Sequence, residues 1–233
     1  MRVLGWGFFL ILTFTISLPV SWWALSKIDF TYSYLHDTID ISSHINRYAS
    51  KNIKGKLGFE TTSKEERVAL FHGTVQAIES QGEGLLALKY TNKSTQASVR
   101  LYTDAEITHL QDVANLIDVL RFLVIVLSVF WLMLIFLLWK MNKPLPSGKR
   151  LLSSAMLILL SCGALLLIGP EAIFNQLHIW IFPENHQWFF YYEESLMSTM
   201  MKAPDLFAYI AGMLSLLSLL LTTLLIVVLK KII

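Results

Sequence analysis

Four stretches of this chain are apolar over the length of a membrane-crossing helix: residues 1–24, 116–139, 151–169 and 206–229. A crossing needs about 20 mostly apolar residues to traverse a hydrocarbon layer of about 30 Å. Between them the character alternates. Residues 25–115 are polar and mixed in charge, residues 140–150 are short and basic, and residues 170–205 carry acids among many aromatic rings. Within 25–115, Ser63-Lys64-Glu65-Glu66 reads as a capping box, followed by Val68, Phe71, Val75 and Ile78 at helical spacing and stopped by Gly82 and Gly84. Residues 86–90 and 98–102 flank the turn-like Asn92-Lys93-Ser94-Thr95 and predict a β-hairpin. Residues 30–48 read as helical on a weaker pattern. The pattern therefore predicts an all-α integral membrane protein with four transmembrane helices and a small, mostly helical extracytoplasmic domain containing one β-hairpin.

Charge sets the expected direction of the crossings. Arg2 precedes the first span, Lys140, Lys143, Lys149 and Arg150 fill the second connection, and Lys230 and Lys231 follow the last span in the tail 230–233. Glu171, Glu184, Glu193 and Glu194 lie in the third connection against Lys202. The positive-inside rule puts both termini and residues 140–150 in the cytoplasm, with 25–115 and 170–205 outside. Met1-Arg2, the first apolar run and Ala24-Leu25-Ser26 loosely imitate a signal peptide. That run is longer than a signal core, and Trp22 and Trp23 suit interfacial anchors, so an uncleaved anchor is the reading adopted.

Composition agrees: 55% of residues are hydrophobic, 15% are charged and the mean hydropathy is +0.55. The net charge of +2 offers no broad basic surface for nucleic acid. The single cysteine, Cys162, lies within the third apolar run, which excludes an internal disulfide and a cysteine metal site. No phosphate loop, Gly-x-Ser-x-Gly elbow or His-Glu-x-x-His is present, so no nucleotide, metal or cofactor is expected.

Two segments carry candidate chemistry. In Thr103-Asp104-Ala105-Glu106-Ile107-Thr108-His109-Leu110-Gln111-Asp112-Val113, Thr103 and Glu106 form a second capping box. Nothing breaks the helix it starts before Pro144, so the helix can run into the second span. His109 then stands about 10 Å above the first lipid-facing residues. Glu106 and Asp112 flank it at three-residue spacing, where a carboxylate could fix the imidazole tautomer and leave the other nitrogen basic. The bland alternative is a solvated helix end, since structural ion networks imitate sites.

The second segment, residues 171–183, is too apolar for a free loop and too short to cross, which fits an interfacial or re-entrant segment. It places His178 at headgroup depth beside Trp180, Trp188, Phe189, Phe190, Tyr191 and Tyr192. The rings alone suit an aromatic belt, whereas an ionisable group near lipid is costly and often functional. Asp118 and Arg121 sit one turn apart where the second span enters the bilayer, either as a pair or with Arg121 holding a headgroup or an oxyanion. His186 reads as an interfacial polar residue, and His36, His44 and His72 as surface or core histidines without metal-like spacing. Ser161 and Cys162 read as packing residues.

At these segments the chain resembles the lipoprotein intramolecular transacylases, bacterial four-span proteins. Glu106-Ile107-Thr108-His109-Leu110-Gln111-Asp112-Val113 is similar to that family's Glu-Ile-x-His-x-x-Asp-Val signature. Residues 174–188 resemble its second histidine block with a downstream tryptophan. The chain departs from the pattern in a longer hairpin region, at Ala114-Asn115 and at Phe182-Pro183. The resemblance implies a cell-membrane enzyme that works on diacylglyceryl lipoproteins among bilayer lipids. It would move the ester-linked acyl chain at the second glycerol carbon to the α-amine of the amino-terminal cysteine, giving a lyso-form. His109 and His178 would be the catalytic pair, supported by Glu106, Asp112 and Arg121. Such chemistry needs no enzyme nucleophile: the amine has a pKa of about 8, within reach of a histidine base, and amine and ester share one molecule. Two other readings stand beside it: a non-catalytic membrane scaffold binding a partner through its outer domain, and an interfacial acyl-ester enzyme for a phospholipid or glycolipid.

Overall fold

The structure is a computed structural model that describes residues 3–141, 145, 148–149, 153, 156 and 170–232. Most of the third predicted span, 151–169, with Ser161 and Cys162, and most of the 140–150 connection lie outside the described residues. The elements are helices α1 (Val3–Ser26), α2 (Tyr32–Thr38), α3 (Ile41–Tyr48) and α4 (Lys64–Glu79), strands β1 (Lys89–Asn92) and β2 (Ala97–Arg100), and helices α5 (Asp104–Lys140), α6 (Pro170–Ile181), α7 (Leu196–Met201) and α8 (Asp205–Ile232). Among the described residues, α1, α5 and α8 are long and apolar enough to cross a membrane.

The chain divides into two compact units. One comprises Met1–Ala24, Leu120–Ile173 and Ala211–Ile233. Its described helices present large apolar side chains outward, among them Phe122, Val129, Phe136 and Leu220, an arrangement that suits hydrocarbon as the solvent. Trp6, Phe9, Leu138 and Leu229 form a buried cluster. A seam of hydroxyls joins the helices. Ser218 Oγ donates to Ser21 Oγ (2.9 Å), Thr222 Oγ1 to Ser17 Oγ (3.1 Å) and Trp131 Nε1 to Thr13 Oγ1 (2.9 Å). Small hydroxyl residues let helices approach closely and satisfy one another where water is absent.

The other unit comprises Leu25–Val119 and Phe174–Ile210. Its two segments interlock: Tyr32 Oη donates to the Met200 carbonyl (2.8 Å), Lys202 Nζ to the Ile39 carbonyl (2.7 Å), and the Ile53 amide to the Glu193 carbonyl (2.8 Å). Helix α7 is buried along its whole length, so residues 196–201 supply core and not a surface loop. At Ser63 the N-cap half of the predicted capping box forms, with Ser63 Oγ accepting the Glu66 amide (3.2 Å), while Glu66 Oε1 accepts the Thr91 amide (3.4 Å) instead of closing the box. Residues 30–48 do not make one helix. Asp40, with φ of 52° and a side chain that accepts the Ser43 amide, starts α3 afresh after α2 ends.

The hairpin forms at a shifted position, with Lys89 opposite Arg100 and Asn92 opposite Ala97. Gly84, at φ 94°, leads residues 85–87 into a 3₁₀ turn, which removes them from the strand. Asn92 Oδ1 accepts the Ser94 amide (2.9 Å) and fixes the turn. Helix α5 is continuous over 37 residues, about 55 Å of rod against a hydrocarbon layer of about 30 Å. Its first turns, through Val119, belong to the second unit.

Candidate active site

The start of α5 shows why this segment folds as it does. Thr103 caps it reciprocally with Glu106, whose Oε2 accepts both the Thr103 amide (2.6 Å) and the Thr103 hydroxyl (2.7 Å). The other oxygen, Oε1, accepts Ser195 Oγ (2.6 Å) and the Met197 amide (2.9 Å). Glu106 is fully buried. Its carboxylate thus caps two helix N-termini at once, that of α5 and that of α7, where negative charge is favoured. The expectation that Glu106 orients His109 is corrected here: both oxygens are occupied by groups that belong to the fold.

Asp112, on the other side of His109, has a different partner. His186 Nδ1 donates to Asp112 Oδ2 at 2.6 Å. Neither flanking carboxylate hydrogen-bonds His109, whose buried Nδ1 has no hydrogen-bond partner among the described residues. Three-residue spacing had put both acids within reach of His109, but partners about 75 to 90 residues away in sequence took them instead. His186, read from sequence as a mere interfacial polar group, is the residue that reasoning missed. Its partner is 74 positions distant, and no local pattern reveals such a pair.

The structure does bring His109 and His178 together. Their ring centroids are 6.1 Å apart, at an interplanar angle of 33°. The two rings share an aromatic box. Phe182 lies 4.9 Å from His109 and 5.2 Å from His178 between centroids. Phe190 lies 6.0 Å from His109, Trp188 5.0 Å from His178 and Phe174 3.9 Å from His178. Of the predicted rings, Trp180, Phe189 and Tyr191 are exposed instead.

The box sets the electrostatics. His109 is only 7% exposed, and burial, helped by the nearby His178, pushes its pKa down to about 4, with Asp112 opposing weakly. Burial also lowers His178, while its bond to the Phe174 carbonyl pulls the other way. Both rings are consequently neutral near pH 7. His178 Nδ1 donates to the Phe174 carbonyl one turn back on α6 (2.7 Å). That bond assigns the proton to Nδ1 and leaves Nε2 with an open lone pair.

Arg121 and Asp118 are on α5, Arg121 in the membrane-crossing unit and Asp118 in the other. His36 is buried beside Tyr32, His44 packs on Tyr48 and Tyr192, and His72 pairs with Asp29 on the surface (2.9 Å).

The chain can be set beside known proteins. A search of curated proteins finds no significant match. Among solved structures, the membrane integral lipoprotein intramolecular transacylase of Bacillus cereus, determined in meso as a histidine-to-arginine variant, is similar with a TM-score of 0.66. Identity is 14%, and the likeness covers 99% of this chain and 91% of that one. At that identity the similarity speaks for the fold. The family model described as lipoprotein intramolecular transacylase matches residues 4–204. A match over most of the chain, across both histidine segments, assigns it: this membrane protein belongs to the lipoprotein intramolecular transacylase family.

Proposed function

We propose that this chain catalyses an intramolecular O-to-N acyl transfer on diacylglyceryl lipoproteins, with His109 and His178 as the catalytic pair. The observation that carries the reading is the pair itself: two neutral imidazoles 6.1 Å apart between centroids, walled by Phe174, Phe182, Trp188 and Phe190. Family membership supplies the substrate class. An apolar box favours a lipid-modified substrate, and an unpartnered imidazole nitrogen inside it is a costly feature unless a ligand satisfies it.

The chemistry balances without any further group. The α-ammonium of the lipidated cysteine releases one proton to solvent, and the resulting amine attacks the ester carbonyl carbon while His178 Nε2 takes the second proton from the attacking nitrogen. A C–N bond forms, and negative charge develops on the carbonyl oxygen. His109, held neutral by burial, donates its N–H to that oxygen. Collapse breaks the C–O bond to the second glycerol carbon, and protonated His178 returns its proton to the departing alkoxide. The products are an amide and a free glycerol hydroxyl. Amine and ester belong to one molecule, so the box has only to align them. Arg121 is kept for a headgroup or oxyanion role as the sequence suggested. The reading also keeps four spans, cytoplasmic termini and an extracytoplasmic reaction face, where lipidated termini reside.

The test is expression in a bacterial host that lacks lipoprotein N-acylation, followed by mass spectrometry of lipoprotein amino-termini. The lyso-form with an N-acyl cysteine is expected. Unaltered lipoproteins, with one partner protein co-purifying, would establish the scaffold reading in its place. Acyl transfer on a phospholipid alone would move the site to another substrate.

A further inference from the structure

The aromatic box is not built from one rigid element. Two of its rings come from the segment after α6, residues 188 and 190, and Phe182 comes from the turn before it. His186 stands in the middle of that segment, four residues after Phe182 and four before Phe190. Its backbone amide donates to the Pro183 carbonyl (3.0 Å), and its side chain donates to Asp112 Oδ2 (2.6 Å). Asp112 lies one turn beyond His109 on α5. Both side chains are shielded, at 32% exposure for His186 and 15% for Asp112. A short, charge-assisted bond in such a place is worth more than a surface ion pair.

We propose that His186 is a positioning residue for the transfer: its bond to Asp112 latches segment 182–190 onto α5, so that Phe182, Phe190 and Trp188 hold His109 and His178 at their mutual spacing. This rests on the acyl-transfer reading above. The latch explains why Asp112 sits beside His109 without touching it. The carboxylate acts on the site through the segment it holds.

The donor is Nδ1, and an asparagine side chain offers an N–H at nearly the same position, whereas alanine offers none. The experiment uses the full chain in detergent micelles with a synthetic diacylglyceryl lipopeptide, product measured by mass spectrometry and backbone hydrogen–deuterium exchange measured in parallel. His186→Ala and Asp112→Ala are expected to lower kcat about tenfold with KM within about twofold, since misaligned rings hinder the chemical step more than binding. The double variant should lose no more than either single one. Exchange across 182–190 should quicken in all three, and His186→Asn should restore both kcat and protection. Unchanged exchange in His186→Ala overturns the latch, and so does quickened exchange with undiminished kcat. Equal losses for His186→Asn and His186→Ala, both folded, overturn the role of the bond. If the unaltered protein forms no product, the acyl-transfer reading fails, and exchange in His186→Ala alone then decides the latch.

Discussion

The hydroxyl seam of the membrane-crossing unit and the histidine box of the other unit treat buried polar groups in opposite ways. Along the seam every hydroxyl has a partner: Thr13, Ser17 and Ser21 each bond the carbonyl four residues back, and each also accepts from another helix. In the box, His109 Nδ1 is buried with no hydrogen-bond partner among the described residues, and His178 uses one nitrogen on its own helix and leaves the other with an open lone pair. Folding alone favours the seam's arrangement, because an unsatisfied buried group costs about 1–3 kcal/mol. The box tolerates that cost where chemistry would use it.

The contrast breaks most sharply at the histidines. His109→Asn and His178→Asn should each lower acyl transfer by about 10²–10⁴-fold, with little change in thermal unfolding. Retained activity in the folded variants would make both rings ordinary core. The next largest effect should come from Glu106→Ala, which strips partners from Thr103, Ser195 and Met197. Stability in detergent should drop by about 3 kcal/mol, because a charged acceptor and its buried donors are lost together. Thermal unfolding measures it. An unmoved midpoint with abolished transfer would return Glu106 to the chemistry.

A third test uses acid. His109 and His44 both have folded pKa values pushed to about 4, His109 chiefly by burial and His44 chiefly by burial and then by Lys202. A histidine lowered on folding binds its proton more readily when unfolded. The unfolded state therefore gains protons below about pH 6.5, and stability should decline as pH falls from there toward about 4. A midpoint flat over that range would contradict the burial of both rings. The acid limb of kcat should likewise lie below about pH 6.5, since His178 must be neutral to accept the amine proton. The smallest effect belongs to the seam. Ser218→Ala should cost about 0.6 kcal/mol, the average for a hydrogen bond between membrane helices, and should leave transfer unaffected.

What the sequence revealed depended on distance along the chain. Both helix starts, at Ser63 and Thr103, are three-residue patterns: the N-cap bond forms at Ser63 and the full reciprocal box at Thr103. The unbroken run into the second span was legible because no proline or glycine interrupts it. The hairpin was legible as an element but displaced, since Gly84 draws residues 85–87 into a turn that alternation does not foretell. The two histidines were legible as candidates. Their approach was not, nor were the partners of Glu106 and Asp112. Helical spacing says which side chains share a face, while competition from distant donors is decided only when the chain has folded. Helix α7 was hidden for a related reason: Leu196-Met197-Ser198-Thr199-Met200-Met201 is too short to show a period, yet it is core.

The Glu106 carboxylate has a consequence for biogenesis. Two of its four donors, Ser195 and Met197, lie 89 and 91 positions later in the chain. A ribosome adding about 5–20 residues per second needs on the order of ten seconds to supply them. Until then the nascent protein carries a negative charge destined for the interior with half of its partners unmade. Assembly of this unit is therefore gated by the arrival of its second segment, and a chain cut short before residue 195 would be an evident substrate for quality control.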